Sequence, residues 1–140
     1  MTRKFFILSF IAFIFSSNLS AQYVSEATQK QTEIKHVRAQ VFNREIQKTE
    51  NPQIIDIRTP REFVAGHIKG AVLINFYDPA FVQNIEKAKL DKNKPVFVYC
   101  RSGNRSGHAM QIFIKLGFKI VYNLQYGIND WVRSGLSLER

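Results

Sequence analysis

Pro95-Val96-Phe97-Val98-Tyr99-Cys100 is the segment that most restricts the fold of this chain. It has no polar position facing either way, so a strand built from it must be covered on both faces. That is the signature of a strand inside a parallel sheet. Gln53-Ile54-Ile55-Asp56-Ile57 has the same character. Helical segments stand between such strands. Residues 40–48 can place Val41, Phe42 and Ile46 on one face, and Asn51-Pro52 stops them. Thr59-Pro60-Arg61-Glu62 reads as a helix start, with a threonine cap, proline in the first turn and a closing glutamate, and Gly66 ends that helix. Asp78-Pro79 opens a helix reaching Ala88, with Phe81, Val82 and Ile85 inward. Residues 105–116 repeat the pattern through Ala109, Ile112, Phe113 and Leu116, with Gly117 as the stop. Residues 34–37, 71–74 and 120–124 complete the strands, and Asp130-Trp131-Val132 begins a last short helix with Trp131 in the core. Alternating strands and helices predict an α/β fold, a mostly parallel central sheet with helices on both faces.

The first residues lie outside that pattern. Arg3 and Lys4 precede an apolar run from Phe5 to Phe15, and small polar residues lead to Ala21. This order is that of a secretory signal peptide. The run is about half the roughly 20 apolar residues a membrane-spanning helix needs, so cleavage near Ala21 is expected and a stable membrane anchor is not. The expected organisation is a signal peptide over residues 1–21, a flexible polar lead over 22–33 and one domain over 34–140. The expected location is outside the cytoplasm, in a bacterial periplasm.

The chain carries 20 basic and 11 acidic residues, a net charge of +9. The excess is spread along the chain without a Lys/Arg block, which argues against nucleic acid and for a small anionic ligand. Cys100 is the single cysteine. It excludes an internal disulfide, a Cys-x-x-Cys redox pair and a multi-cysteine zinc site. His36 and His108 have no metal-ligand spacing, and neither a metal nor a cofactor is expected.

In open α/β sheets ligands sit beyond the carboxyl ends of the strands, which is where Cys100 falls. It is followed by Arg101-Ser102-Gly103-Asn104-Arg105-Ser106, leading into a helix. Backbone N–H groups of such a turn, together with a helix N-terminus, can converge on one point and stabilise an anionic sulfur there. Gly103 permits the tight turn, and Arg101 and Arg105 add charge. A cysteine after four apolar residues is otherwise read as a small buried hydrophobe. The polar loop favours a reactive thiol, because a Gly-containing turn flanked by two arginines serves no packing purpose.

Tyr99-Cys100-Arg101-Ser102-Gly103-Asn104-Arg105-Ser106 resembles the active-site loop of the rhodanese family. Asp56-Ile57-Arg58-Thr59-Pro60-Arg61-Glu62-Phe63 and Gly66-His67-Ile68-Lys69-Gly70-Ala71 resemble two further blocks of that family. Gly117-Phe118, Val121 to Leu124, Gly127-Ile128 and Trp131 resemble its C-terminal pattern. Lys69 replaces a common proline, and Tyr126 stands where the family usually has the first of two glycines. The resemblance implies a sulfurtransferase. In that reading Cys100 accepts sulfur from thiosulfate or a persulfide donor as a persulfide, and passes it to cyanide or a thiol. The residues from Arg101 to Ser106 bind the donor, with Arg101 and Arg105 on its oxyanion end. Asp56 and Arg58 form a structural ion pair, and Arg58 can also pair with Glu62 at i,i+4 for about 0.3–0.5 kcal/mol. His67 reads as a hydrogen-bonded structural residue rather than a base.

Two other functions remain in contention. A cysteine phosphatase or arsenate reductase uses a related loop but needs arginine six residues after the cysteine, where this chain has Ser106. A non-catalytic carrier or binding module would keep the fold without turnover.

Overall fold

The computed structural model describes residues 32–140; the expected leader and the polar stretch through Gln31 lie outside the described residues. Five strands, β1 (Glu33–Val37), β2 (Gln53–Asp56), β3 (Val72–Leu73), β4 (Val96–Tyr99) and β5 (Ile120–Leu124), form one sheet in the order β1-β5-β4-β2-β3. Every pairing is parallel. The helices are α1 (Ala39–Lys48), α2 (Pro60–Val64), α3 (Phe81–Lys87), α4 (Asn104–Lys115) and α5 (Gly127–Arg133).

The alternation of β4 divides the core in two. Val96, Val98 and Cys100 face a cluster built with Phe81 and Ile85 of α3 and Ala109, Met110 and Phe113 of α4. Phe97 and Tyr99 face the opposite cluster, with Ala39 and Phe42 of α1 and Ile128 and Trp131 of α5. All four β4 residues are fully buried. Both faces of this strand are therefore covered, as its unbroken apolar run requires. The second cluster is knit by aromatic contacts. Phe97 meets Phe42 edge-on at 5.5 Å and stacks on Tyr122 at 4.9 Å.

Some boundaries differ from the sequence pattern. The chain from Asp78 to Ala80 forms a turn in which the Asp78 carboxylate accepts from the Ala80 N–H at 2.8 Å, so α3 begins only at Phe81. Phe81 and Ile85, one helical turn apart, take the inner face and leave Val82 38% exposed. The third strand shrinks to two residues, with Val72 exposed at the sheet edge. The last helix starts at Gly127, three residues before the expected Asp130. Its first amides find acceptors outside the helix, a contact that local periodicity does not encode.

Truncating Phe97 to alanine removes a side chain packed against two other rings. The Phe97→Ala variant is expected to lose about 3–5 kcal/mol of stability. Urea unfolding checks this: the midpoint should fall with little change in slope, and an unmoved midpoint would contradict the packing described.

Candidate active site

Cys100 follows β4 directly and is 1% exposed. Three donors aim at its Sγ: the Gly103 N–H at 3.1 Å, the Ser106 N–H at 3.5 Å and the Ser106 hydroxyl at 3.4 Å. The chain can curl this tightly because Gly103 takes φ +94°, in the left-handed region, immediately before α4. A side chain at that position would also overlap the Gln125 carbonyl.

The back of the loop is held by α5. The carbonyl oxygen of Cys100 accepts from the Ile128 N–H at 2.9 Å, and that of Arg101 accepts from the Asn129 N–H at 3.2 Å. First-turn amides that have no partner within their own helix are satisfied there. The Cys100 and Arg101 carbonyls thus point toward α5, while the N–H groups of Gly103 and Ser106 point toward Sγ. Gly127, at φ +62°, makes the approach possible, since a Cβ there would run into the Arg101 and Cys100 backbone. The neighbouring Tyr126 has an ordinary φ of −113°. Replacing the family's usual glycine at this position therefore carries no backbone strain. Its ring lies under the Arg38 guanidinium at 4.9 Å, on the rim beside Gly103.

The ion pairs sort differently from the sequence expectation. Asp56 and Arg58 do form a buried pair, with Nε and Nη2 of Arg58 donating to the carboxylate at 2.7–3.0 Å. Arg58 also donates to the Gly66 carbonyl at 2.7 Å and lies over the Tyr99 ring. Burial works against its charge, and the hydrogen bonds and charge of Asp56 more than offset that. The pair thus ties the end of β2 to the turn after α2. Glu62 does not pair with Arg58. Its carboxylate instead receives Arg105 from the loop, Nη2 to Oε1 at 2.7 Å and Nη1 to Oε2 at 2.9 Å, while completing the capping box with Thr59. Arg105, expected to face a donor beside Arg101, thus has its fork occupied by Glu62. Arg101, Ser102 and Asn104 are exposed around the mouth.

His67 lies outside this cluster of loop contacts. Its ring stacks on Phe63 at 3.9 Å, and Nδ1 is 3.1 Å from the Phe63 carbonyl, consistent with a structural residue. His36 is exposed and its Nδ1 lies 2.9 Å from the Asn123 amide. Among the described residues no three His, Cys, Asp or Glu side chains gather as a metal site, and no helix is long and apolar enough to cross a membrane. Two residues beside the loop carry no signal of that place in the sequence. Glu62 reads there as a helix cap and a partner for Arg58. Tyr77, 64% exposed beside Arg105, has no local pattern that points to it.

Against known proteins, residues 39–134 match the model of the rhodanese-like domain. The chain belongs to the rhodanese-like family. It is 31% identical over 105 residues to a sulfurtransferase of Allochromatium vinosum, across 75% of this chain and 94% of that one. It is 40% identical over 79 residues to the uncharacterized protein YqhL of Bacillus subtilis, across 56% of this chain and 60% of that one. The crystal structure of a rhodanese-related protein from Thermoplasma volcanium has a similar fold, with 25% identity and a TM-score of 0.62 across 75% and 97% of the two chains. This rhodanese-like chain is thus a member of a sulfurtransferase family.

The Glu62–Arg105 contact has a pH signature in this rhodanese-like domain. The hydrogen bond from Arg105 holds the Glu62 carboxyl at about 2, against an ordinary value of 4.5. A carboxyl lowered on folding stabilises the fold above its ordinary value, and that contribution is lost as pH falls toward the folded value. Asp130, lowered chiefly by its hydrogen bonds from Arg38, acts in the same direction. Unfolding free energy measured between pH 5 and pH 2 is therefore expected to fall less steeply in Glu62→Gln than in the parent. Parallel slopes would contradict the pairing.

Proposed function

We propose that this chain is a sulfurtransferase that takes sulfane sulfur from thiosulfate or a persulfide onto Cys100 and delivers it to a thiol or cyanide. The convergence of three donors on Cys100 Sγ carries this reading. Such donors stabilise negative charge on sulfur, both on the attacking thiolate and on the persulfide that replaces it. The Sγ electron pair forms a bond to the outer sulfur of thiosulfate. The bond between the two donor sulfurs breaks, and its electron pair leaves with sulfite. An acceptor thiolate or cyanide then attacks the outer sulfur of the persulfide, and the Cys100 thiolate departs. Each half is a nucleophilic displacement that consumes no external oxidant or reductant. Arg101, exposed at the mouth, takes the anionic end of the donor. The depth of Cys100 favours donors with an unhindered terminal atom, which sulfane sulfur provides.

The phosphatase alternative is weaker for two reasons. Ser106 occupies the place its arginine needs, and Arg105 is already committed to Glu62. We also propose that the leader directs export with cleavage near Ala21. N-terminal sequencing of the extracytoplasmic protein should begin close to Gln22, and a chain kept in the cytoplasm with its leader intact would refute export.

Mass spectrometry after incubation with thiosulfate or a small persulfide tests the sulfur relay. The parent should gain the mass of one sulfur atom and lose it on adding cyanide or a thiol; Cys100→Ser should gain none. A parent that gains no sulfur from either donor would end the proposal, and one that gains it but cannot pass it on would be a carrier. Ser106→Ala removes one of the three donors, and the rate of persulfide formation is expected to fall about tenfold, measured by stopped-time mass analysis.

A further inference from the structure

Glu62 and Arg105 stand 43 residues apart in the chain and meet beside the sulfur loop. Their side chains are 24% and 13% exposed, so the contact is only partly screened by solvent. Both terminal nitrogens of Arg105 are engaged by the Glu62 carboxylate, and the guanidinium lies 5.4 Å from the centre of the Tyr77 ring. Glu62 is itself fixed, because Oε2 also accepts from the Thr59 N–H at 3.0 Å and the Thr59 hydroxyl at 2.9 Å. The Arg105 charge is favoured first by its hydrogen bonds to Glu62, and also by the charge of Glu62. Arg105 immediately precedes Ser106, whose N–H and hydroxyl donate to the Cys100 Sγ, so its charge and the carboxylate clamped to it sit beside the sulfur loop.

The formal charges around the loop then cancel. With Cys100 as the attacking thiolate, Arg101 and Arg105 are opposed by Glu62 and by the sulfur. Asp56 and Arg58 cancel each other as a separate buried pair. A dianion approaching this mouth gains less than it would from two unopposed arginines.

We propose that Glu62 is a positioning residue that sets donor preference. By clamping Arg105 it keeps the loop near neutrality, and so favours sulfane donors of low charge, such as persulfides and thiosulfonate monoanions, over the thiosulfate dianion. This rests on the sulfurtransferase reading of Cys100 given above. Methanethiosulfonate is a direct probe, being thiosulfate with one oxygen replaced by a methyl group and one negative charge fewer. The Sγ electron pair bonds to its terminal sulfur, the sulfur–sulfonyl bond breaks, and methanesulfinate leaves with that electron pair.

The experiment measures the second-order rate of persulfide formation on Cys100 with thiosulfate and with methanethiosulfonate, at low ionic strength, in the parent, Glu62→Gln, Arg105→Gln and the double variant. The ratio of the thiosulfate rate to the methanethiosulfonate rate is expected to rise about fivefold in Glu62→Gln, where a negative charge is removed. It should fall by a similar factor in Arg105→Gln and return to the parent value in the double variant, whose net charge equals the parent's. Added salt should shrink these differences. A purely structural role for the pair would slow both donors alike and leave the ratio unmoved. An unchanged ratio in Glu62→Gln or Arg105→Gln, with persulfide still forming, would overturn the inference, as would a double variant that fails to return. If Glu62→Gln does not fold, the expected fall in Arg105→Gln decides the matter. A parent that accepts sulfur from neither donor defeats the Cys100 reading itself, a failure visible before any ratio is taken.

Discussion

The carbonyl oxygens of Cys100 and Arg101 are held against α5 because they accept from its first amides. The geometry of the site depends on this. Those two contacts fix the backbone at the start of the loop, from which the chain turns at Gly103 to bring its own N–H and that of Ser106 to Sγ. This arrangement also explains the two glycines that frame the loop. Gly103 provides the left-handed turn, and Gly127 lets the backbone of α5 come close enough to donate. Neither does its work through a side chain.

Around that framework the charged residues act in pairs. Asp56 and Arg58 join β2 to the turn at Gly66, and Asp130 joins α5 to the start of α1 by accepting from Arg38 and from the Ala39 N–H. Each of these carboxylates is buried and each is fully engaged, as charges removed from water must be. The Glu62–Arg105 pair belongs to the same set, but it lies beside the sulfur loop. A contact that positions the loop therefore also sets its field.

The parallel sheet connects these features. Cys100 leaves β4 on the side of α3 and α4, while Tyr99 before it faces α1 and α5. The Tyr99 hydroxyl accepts from the Ile68 N–H at 3.1 Å, burial raises its pKa, and it remains a neutral anchor for the turn after α2. One strand thus delivers the thiol to one face and secures the supporting turn on the other.

The apolar runs at Ile54-Ile55 and Val96 to Tyr99, alternating with helical segments, were enough to determine a parallel α/β sheet, because strands of that composition are stable only when covered on both faces. The position of Cys100 at a strand end and the glycine after it likewise marked the candidate loop. Local sequence did not reveal that Glu62 would take Arg105 rather than Arg58, that α5 would begin at Gly127 to receive the loop carbonyls, or that Val82 would turn outward. Each of these is a choice among partners that the chain brings together only on folding: a carboxylate with two arginines in reach binds the one whose geometry the packed backbone allows. Periodicity reports which face of a segment is apolar, and tertiary structure alone decides which groups that face will meet.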